Sequence, residues 1–163
     1  MKPVSLCLVE MGKKGLELVR AYPEVLPQEE VNNIVLKSMP LGANDGDFAT
    51  NTTGTSVISS YVFSLPGEER TNIASLIAVF SSMNYQPQVI KKVFSFTVTE
   101  LRKNNAIDKQ VLTDLLPKLY DGLVKGELRI KISSVVTLDL AITSELTDEK
   151  KDVFDAFGED VWK

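Results

Sequence analysis

Two strand-like runs followed by an amphipathic helix, within residues 56–105, constrain the fold more than any other part of this chain. The run 57–63 is rich in β-branched and aromatic residues, and the run 73–80 is almost continuously apolar, with a polar turn at 65–72 between them. This pattern predicts a β-hairpin in a sheet that is covered on at least one face. A helix that opens at 85–88 is the predicted cover, because its apolar residues fall on one stripe: Ile90, Val93, Phe94, Thr97 and Leu101.

The residues before this region predict two more strands and another helix. Val4–Glu10 and Leu16–Tyr22 are strand-like and are separated by a short glycine-containing turn, so they are expected to pair antiparallel. Pro27 suits the first turn of a helix, and a short strand is predicted around Phe48. The buried stripe predicted for this first helix is Val31, Ile34, Val35 and Met39.

The residues after 105 predict a third helix and further strand. Asp108 is a suitable N-cap and Gly126 a suitable end, while Pro117 is expected to kink the helix or divide it in two near residues 113–117. Alternating apolar residues at 128–132 and 136–142 predict a late strand or a bulged strand. Together these elements predict an α+β layered domain with an antiparallel sheet.

Length and composition agree with one compact domain, since the chain has 163 residues of which 44% are apolar. No run approaches the ~20 apolar residues that cross a bilayer, and the N-terminus lacks the apolar region of a signal peptide. We therefore expect a cytoplasmic protein that is peripheral to membranes only through its partners. Cys7, the single cysteine, lies in an alternating run and is predicted to be a buried strand thiol.

Charge and residue usage argue against several classes of function. Residues 145–163 contain seven acids and three lysines, whereas the other 144 residues are neutral overall, so nucleic acid is not an expected partner. The absence of histidine excludes histidine-based triads and the common zinc sites. Asn44–Asp47 lacks the ligand spacing of an EF-hand and is interpreted as a turn. We expect no metal, no cofactor and no enzyme activity in this chain alone.

The order of elements over residues 3 to about 125 resembles the longin domain, a relative of the SNARE-like and roadblock folds. The most similar modules are those of the nitrogen permease regulator-like proteins and folliculin, through Tyr61-Val62-Phe63-Ser64 and Glu69-Arg70-Thr71-Asn72-Ile73-Ala74-Ser75-Leu76. The resemblance implies a five-stranded antiparallel sheet with one helix on one face and two on the other. Residues 127–163 fall outside the longin resemblance, so three regions are predicted: a longin-like domain at 1–126, additional strand at 127–143, and an acidic amphipathic tail at 144–163.

By this resemblance the chain is a scaffold that forms a homo- or heterodimer and binds a small GTPase or another longin or roadblock subunit in vesicle trafficking. In the nitrogen permease regulator-like proteins an arginine finger lies in the loop that here contains Arg70. The alternative interpretation of Arg70 is a solvated turn residue beside Glu68 and Glu69. Two other functions are left open: a GTPase-activating subunit that uses Arg70, and an adaptor that binds a trafficking peptide.

The partner surface is predicted to include the first helix and the strand that follows it, with Val31, Ile34, Val35 and Phe48 as contacts. Unpaired edge strands are templates for another chain, which is the physical reason to expect association there. The tail supplies three further candidates, Phe154, Phe157 and Trp162, which are unfavourable to leave in water. They are expected to dock either on the domain itself or in the groove of a partner.

Overall fold

The computed structural model describes residues 2–12, 15–39, 42–66, 72–131 and 137–141. Its elements, in chain order, are β1 (Ser5–Gly12), β2 (Gly15–Tyr22), α1 (Gln28–Lys37), β3 (Phe48–Thr53), β4 (Ser56–Leu65), β5 (Asn72–Phe80), α2 (Pro87–Lys103), α3 (Lys109–Lys125), β6 (Glu127–Lys131) and β7 (Thr137–Ala141).

The first five strands form one antiparallel sheet in the order β2-β1-β5-β4-β3. The prediction of an α+β domain with a five-stranded antiparallel sheet and three helices is therefore confirmed. Within the described chain, β2 and β3 are the two edges of this sheet. The predicted hairpin is the pair β4–β5, with Val57 opposite Phe80 at one end and Leu65 opposite Asn72 at the other.

Helices cover the two faces of the sheet unequally. On one face α1 packs on Cys7, Ile58, Ile77 and Val79 in a small apolar core. On the opposite face α2 and α3 cover a larger core, because alternate residues of each strand point to opposite sides. The largest fully buried side chains of the larger core are Leu6, Leu8, Phe63, Leu76, Ile90, Phe94, Leu101, Leu112 and Leu115.

The alternating runs near residue 130 form two strands that pair with each other. β6 and β7 are antiparallel and make a separate two-stranded sheet, in which Glu127 lies opposite Ala141 and Lys131 opposite Thr137. Their inward side chains Leu128, Ile130 and Leu138 join the core beneath α2 and α3. Gly122 of α3 allows this close approach, since a Cβ there would lie 2.8 Å from Leu128 Cδ1.

The predicted stripe of α2 and the ends of α3 are confirmed. Asp108 accepts a hydrogen bond from the Gln110 backbone N–H at 3.0 Å, as an N-cap does. Gly126 follows the last helical residue at φ 87°, a left-handed conformation that glycine adopts without steric cost. The five stripe residues of α2 predicted from the sequence are all buried: Ile90, Val93, Phe94, Thr97 and Leu101.

Of the two outcomes predicted at Pro117, a kink or a division of the helix, the division is wrong, because α3 is continuous. The helix runs from Lys109 to Lys125 with Pro117 inside it. A proline has no N–H, so the carbonyl of Thr113, four residues earlier, loses its helical donor. Arg20 of β2 supplies the replacement, because its Nη1 donates to Thr113 O at 2.8 Å. A side chain that is 93 positions away in the chain thus satisfies the group that the proline leaves unpaired.

An ion pair anchors the loop before β3 to the end of α2. The Arg102 guanidinium donates to both carboxylate oxygens of Asp45, at 3.1 and 2.7 Å, and also to Ser64 O and Ser64 Oγ. Asp45 accepts a further bond from the Ser64 backbone N–H at 2.9 Å. The hydrogen bond from Arg102 holds the pKa of the Asp45 carboxyl below its ordinary value. The loop that contains Asp45 is therefore a turn held in place by its bonds to Arg102 and Ser64.

Replacing Asp45 with asparagine is expected to lower the free energy of unfolding by about 0.5–1 kcal/mol at pH 7, since this pair is partly exposed to solvent. The folded-state pKa of Asp45 lies below the unfolded value of about 3.9, so the pair stabilises the fold above that pH. The contribution is lost as the pH falls through the folded value. Urea unfolding of both proteins from pH 7 to pH 2 measures the difference.

Asp139→Asn is the control, because Asp139 Oδ2 lies 3.7 Å from Arg129 Nε and both side chains are exposed. We expect no measurable change from that substitution. An Asp45→Asn effect that is as large at pH 2 as at pH 7 would contradict the role given to the ion pair.

Candidate interaction surfaces

The structure brings the two chain segments predicted to bind a partner onto one surface. Lys37, at the end of α1, donates from Nζ to Thr52 O of β3 at 2.8 Å. Near the start of α1, Glu30 accepts a hydrogen bond from Ser56 Oγ, at the first residue of β4. We call the exposed side of α1 together with strand β3 the α1–β3 surface. Its exposed side chains are Gln28, Glu29, Asn32, Asn33, Leu36, Lys37, Asn51 and Thr52.

Three of the residues predicted to contact a partner lie on the buried side of α1. Val31, Ile34 and Val35 are at most 9% exposed and pack against the sheet. They hold α1 in place and offer a partner no accessible side chain. Phe48 is half-buried, pairs opposite Tyr61 and packs against the larger core on the other face.

Leu36 is the apolar side chain of α1 that faces solvent. Its exposed fraction is 72%, the highest among the large apolar residues in the described ranges. Sequence reasoning missed it because the helical period identifies the buried stripe at positions 31, 34 and 35 and leaves position 36 outside it. The sequence does contain one indication of this exposure: Leu36 lies outside the buried stripe, where an amphipathic helix normally carries a polar residue.

The two edges of the sheet differ in how open they are to another strand. β2 carries Glu17 and Arg20, and it is tied to α3 through the Arg20 bond and through an edge-to-face contact of Tyr22 with Tyr120. β3 has the sequence Phe-Ala-Thr-Asn-Thr-Thr and contains no charged residue and no proline. Charges and proline are the features that normally protect an edge from pairing. β3 is therefore the less protected edge by its own sequence, while one of its carbonyls, Thr52 O, already accepts a hydrogen bond from Lys37 of α1.

A second surface is a cleft of ≈ 380 Å³ between α3 and β6. A smaller cleft beside it shares Lys118 and Lys131 and adds Val111, Asp114 and Leu115. We call the two together the α3–β6 cleft. The larger part is lined by Lys118, Asp121, Gly122, Lys125, Glu127, Arg129, Ile130 and Lys131, so four cationic side chains face two carboxylates.

The remaining predicted site residues lie outside the described residues. These are Arg70, in the connection between β4 and β5, and the tail residues Phe154, Phe157 and Trp162. Cys7 is fully buried, as predicted, and burial raises the pKa of its thiol to about 12. Such a thiol is not a nucleophile near neutral pH.

The described ranges contain no group of three or more histidine, cysteine, aspartate or glutamate side chains that could hold a metal ion. Comparison with models of protein families and with curated protein sequences gave no match for this chain. Among the helices that the structure describes, none combines the length and the apolar character that crossing a membrane requires.

Proposed function

We propose that this chain is a longin-like scaffold that pairs with a second copy of itself through the α1–β3 surface and presents a small GTPase or a related subunit. The observation that carries the proposal is the uncharged edge strand β3, and the neighbouring helix α1 adds the exposed Leu36. An open edge offers backbone donors and acceptors, and an exposed leucine on the neighbouring helix adds apolar area that association could remove from water.

The arrangement of helices supports the longin part of the proposal. α1 lies between β2 and β3 in the chain and packs on one face of the sheet, while α2 and α3 follow β5 and pack on the other. This is the arrangement expected from the resemblance of the sequence to longin domains. The small GTPase is proposed from that same resemblance, in which longin modules act mostly as scaffolds for such partners.

The test is binding of the purified chain to small GTPases from the same source, each loaded with GDP or with a GTP analogue. Single-turnover hydrolysis of GTP is recorded beside it for the wild type, for Arg70→Ala and for the matched control Arg129→Ala. A scaffold is expected to bind at least one of these GTPases and to leave its hydrolysis rate unchanged in all three proteins.

Other outcomes assign other functions. An arginine finger contributes roughly 10³ to 10⁵ in rate, so a loss of that size confined to Arg70→Ala would indicate a GTPase-activating subunit. GTPase binding that is equally strong in the GDP and GTP-analogue forms, and that a trafficking peptide displaces, would favour the trafficking adaptor. Absence of binding to every GTPase would contradict the GTPase part of the proposal.

A further inference from the structure

We propose that the α3–β6 cleft is the docking site of the chain's own acidic tail, residues 144–163, with Phe154, Phe157 and Trp162 directed to its floor. The inference concerns a contact within one chain and does not depend on the proposed GTPase binding. Charge, apolar character and the point at which the chain leaves β7 each support it.

The first support is charge complementarity. Among the described residues, Lys118, Lys125 and Lys131 are exposed and have no carboxylate within salt-bridge distance. The cleft carries four cations against three carboxylates, Asp114, Asp121 and Glu127, whereas residues 145–163 carry a net charge of −4. Clustered like charges repel one another, and an acidic segment placed between them removes that repulsion.

The second support is the mixed character of both surfaces. The cleft has apolar floor residues, Val111, Leu115 and Ile130, inside its charged rim. In the tail, Val153, Phe154, Phe157 and Val161 repeat at helical spacing. On a helix of 3.6 residues per turn, Glu149 and Asp160 would border that apolar stripe, whereas Asp155 would lie on the opposite, polar side. An acidic amphipathic segment therefore matches an apolar floor with a basic rim.

The third support is the position of Ala141, where the described part of the chain ends. Ala141, the last residue of β7, pairs opposite Glu127, and Glu127 lines the cleft. The 12 residues between Ala141 and Phe154 can span from about 18 Å as a helix to about 40 Å when extended. The tether therefore begins at the cleft, which gives the tail a high effective concentration there.

Trp162 is the only tryptophan in the chain, so its fluorescence reports on the tail alone. The experiment measures its emission maximum and its quenching by acrylamide in the full chain, in Lys118→Glu/Lys131→Glu, and in the control Lys2→Glu/Lys91→Glu. Both double variants change the net charge equally. We expect a shielded Trp162 in the wild type and in the control. In the cleft variant the quenching constant should rise severalfold and the emission should shift to the red.

A variant in which the charges of the cleft and the tail are exchanged distinguishes loss of docking from loss of folding. Adding Glu149→Lys/Asp160→Lys to the cleft variant is expected to restore the shielding, and urea midpoints check that each variant is folded. An exposed Trp162 in the wild type would overturn the proposal, as would shielding that the cleft variant leaves unchanged. Shielding that disappears on dilution would assign the contact to a second molecule and would overturn docking within one chain.

Discussion

Replacing Pro117 with alanine is expected to raise the free energy of unfolding by about 1–2 kcal/mol. Proline in a helix interior is about 3 kcal/mol less favourable than alanine, and the gain is reduced because alanine leaves the unfolded chain freer. The new alanine would supply the N–H that α3 lacks, and that N–H would donate to Thr113 O. Urea unfolding measured through the change in midpoint checks this result.

Substituting Arg20 in the wild type and in the Pro117→Ala variant tests the same explanation more specifically. In the wild-type chain, Arg20→Met should cost about 1–2 kcal/mol, because it removes the donor to Thr113 O and the contact of the guanidinium with the Tyr22 ring, 5.7 Å from its centroid. In the Pro117→Ala background the same change should cost about 1 kcal/mol less, because the alanine N–H then serves that carbonyl. Arg129→Met, on exposed β6, is the control and should show no coupling.

Two results would contradict this explanation of α3. One is a less stable protein after Pro117→Ala. The other is an Arg20→Met effect of equal size in both backgrounds, which would mean that Arg20 stabilises the protein through its other contacts alone.

The helix α3 also illustrates what the sequence could and could not predict. Its N-cap Asp108, its glycine end and its buried leucines follow from local rules, and all are present in the structure. The carbonyl that Pro117 leaves without a helical donor is bonded by Arg20, which belongs to a strand far away in the chain. Local propensity contains no information about that contact, so the sequence alone predicted a kink or a division.

The strands show the same limit. The residue pattern predicted β4 and β5, because β-branched, aromatic and continuously apolar runs are typical of strands in a covered sheet. It does not report which strand pairs with which, so β6 and β7 were expected only as a late or bulged strand and not as a separate pair. In the same way, the spacing on α1 identified the buried Val31 and Ile34, while exposed Leu36 became visible only in three dimensions.

Replacing Asn51 with lysine is expected to weaken self-association about 100-fold. Asn51 is exposed near the middle of β3, so in a two-fold strand pair the two copies of residue 51 lie close to the symmetry axis. Two lysines about 5 Å apart interact by about 3 kcal/mol at an effective dielectric constant of 20, and every 1.4 kcal/mol is tenfold in Kd. Lysine on an edge strand is also a common protection against pairing.

Leu18→Lys is the matched control for this substitution. It adds the same single charge to β2, the opposite edge, at a side chain that is 38% exposed. Because Arg20 and Glu17 already protect that edge, we expect Leu18→Lys to leave self-association unchanged. Both variants should keep the wild-type urea midpoint, since neither side chain is buried.

Sedimentation velocity over a wide range of protein concentration, on the wild type, Asn51→Lys and Leu18→Lys, tests the proposed use of the α1–β3 surface most directly. We predict a reversible dimer for the wild type and for Leu18→Lys, and a monomer for Asn51→Lys over most of the same range. A wild-type chain that stays monomeric at every concentration, or a dimer that Asn51→Lys leaves intact, would contradict the proposal that this surface joins two copies.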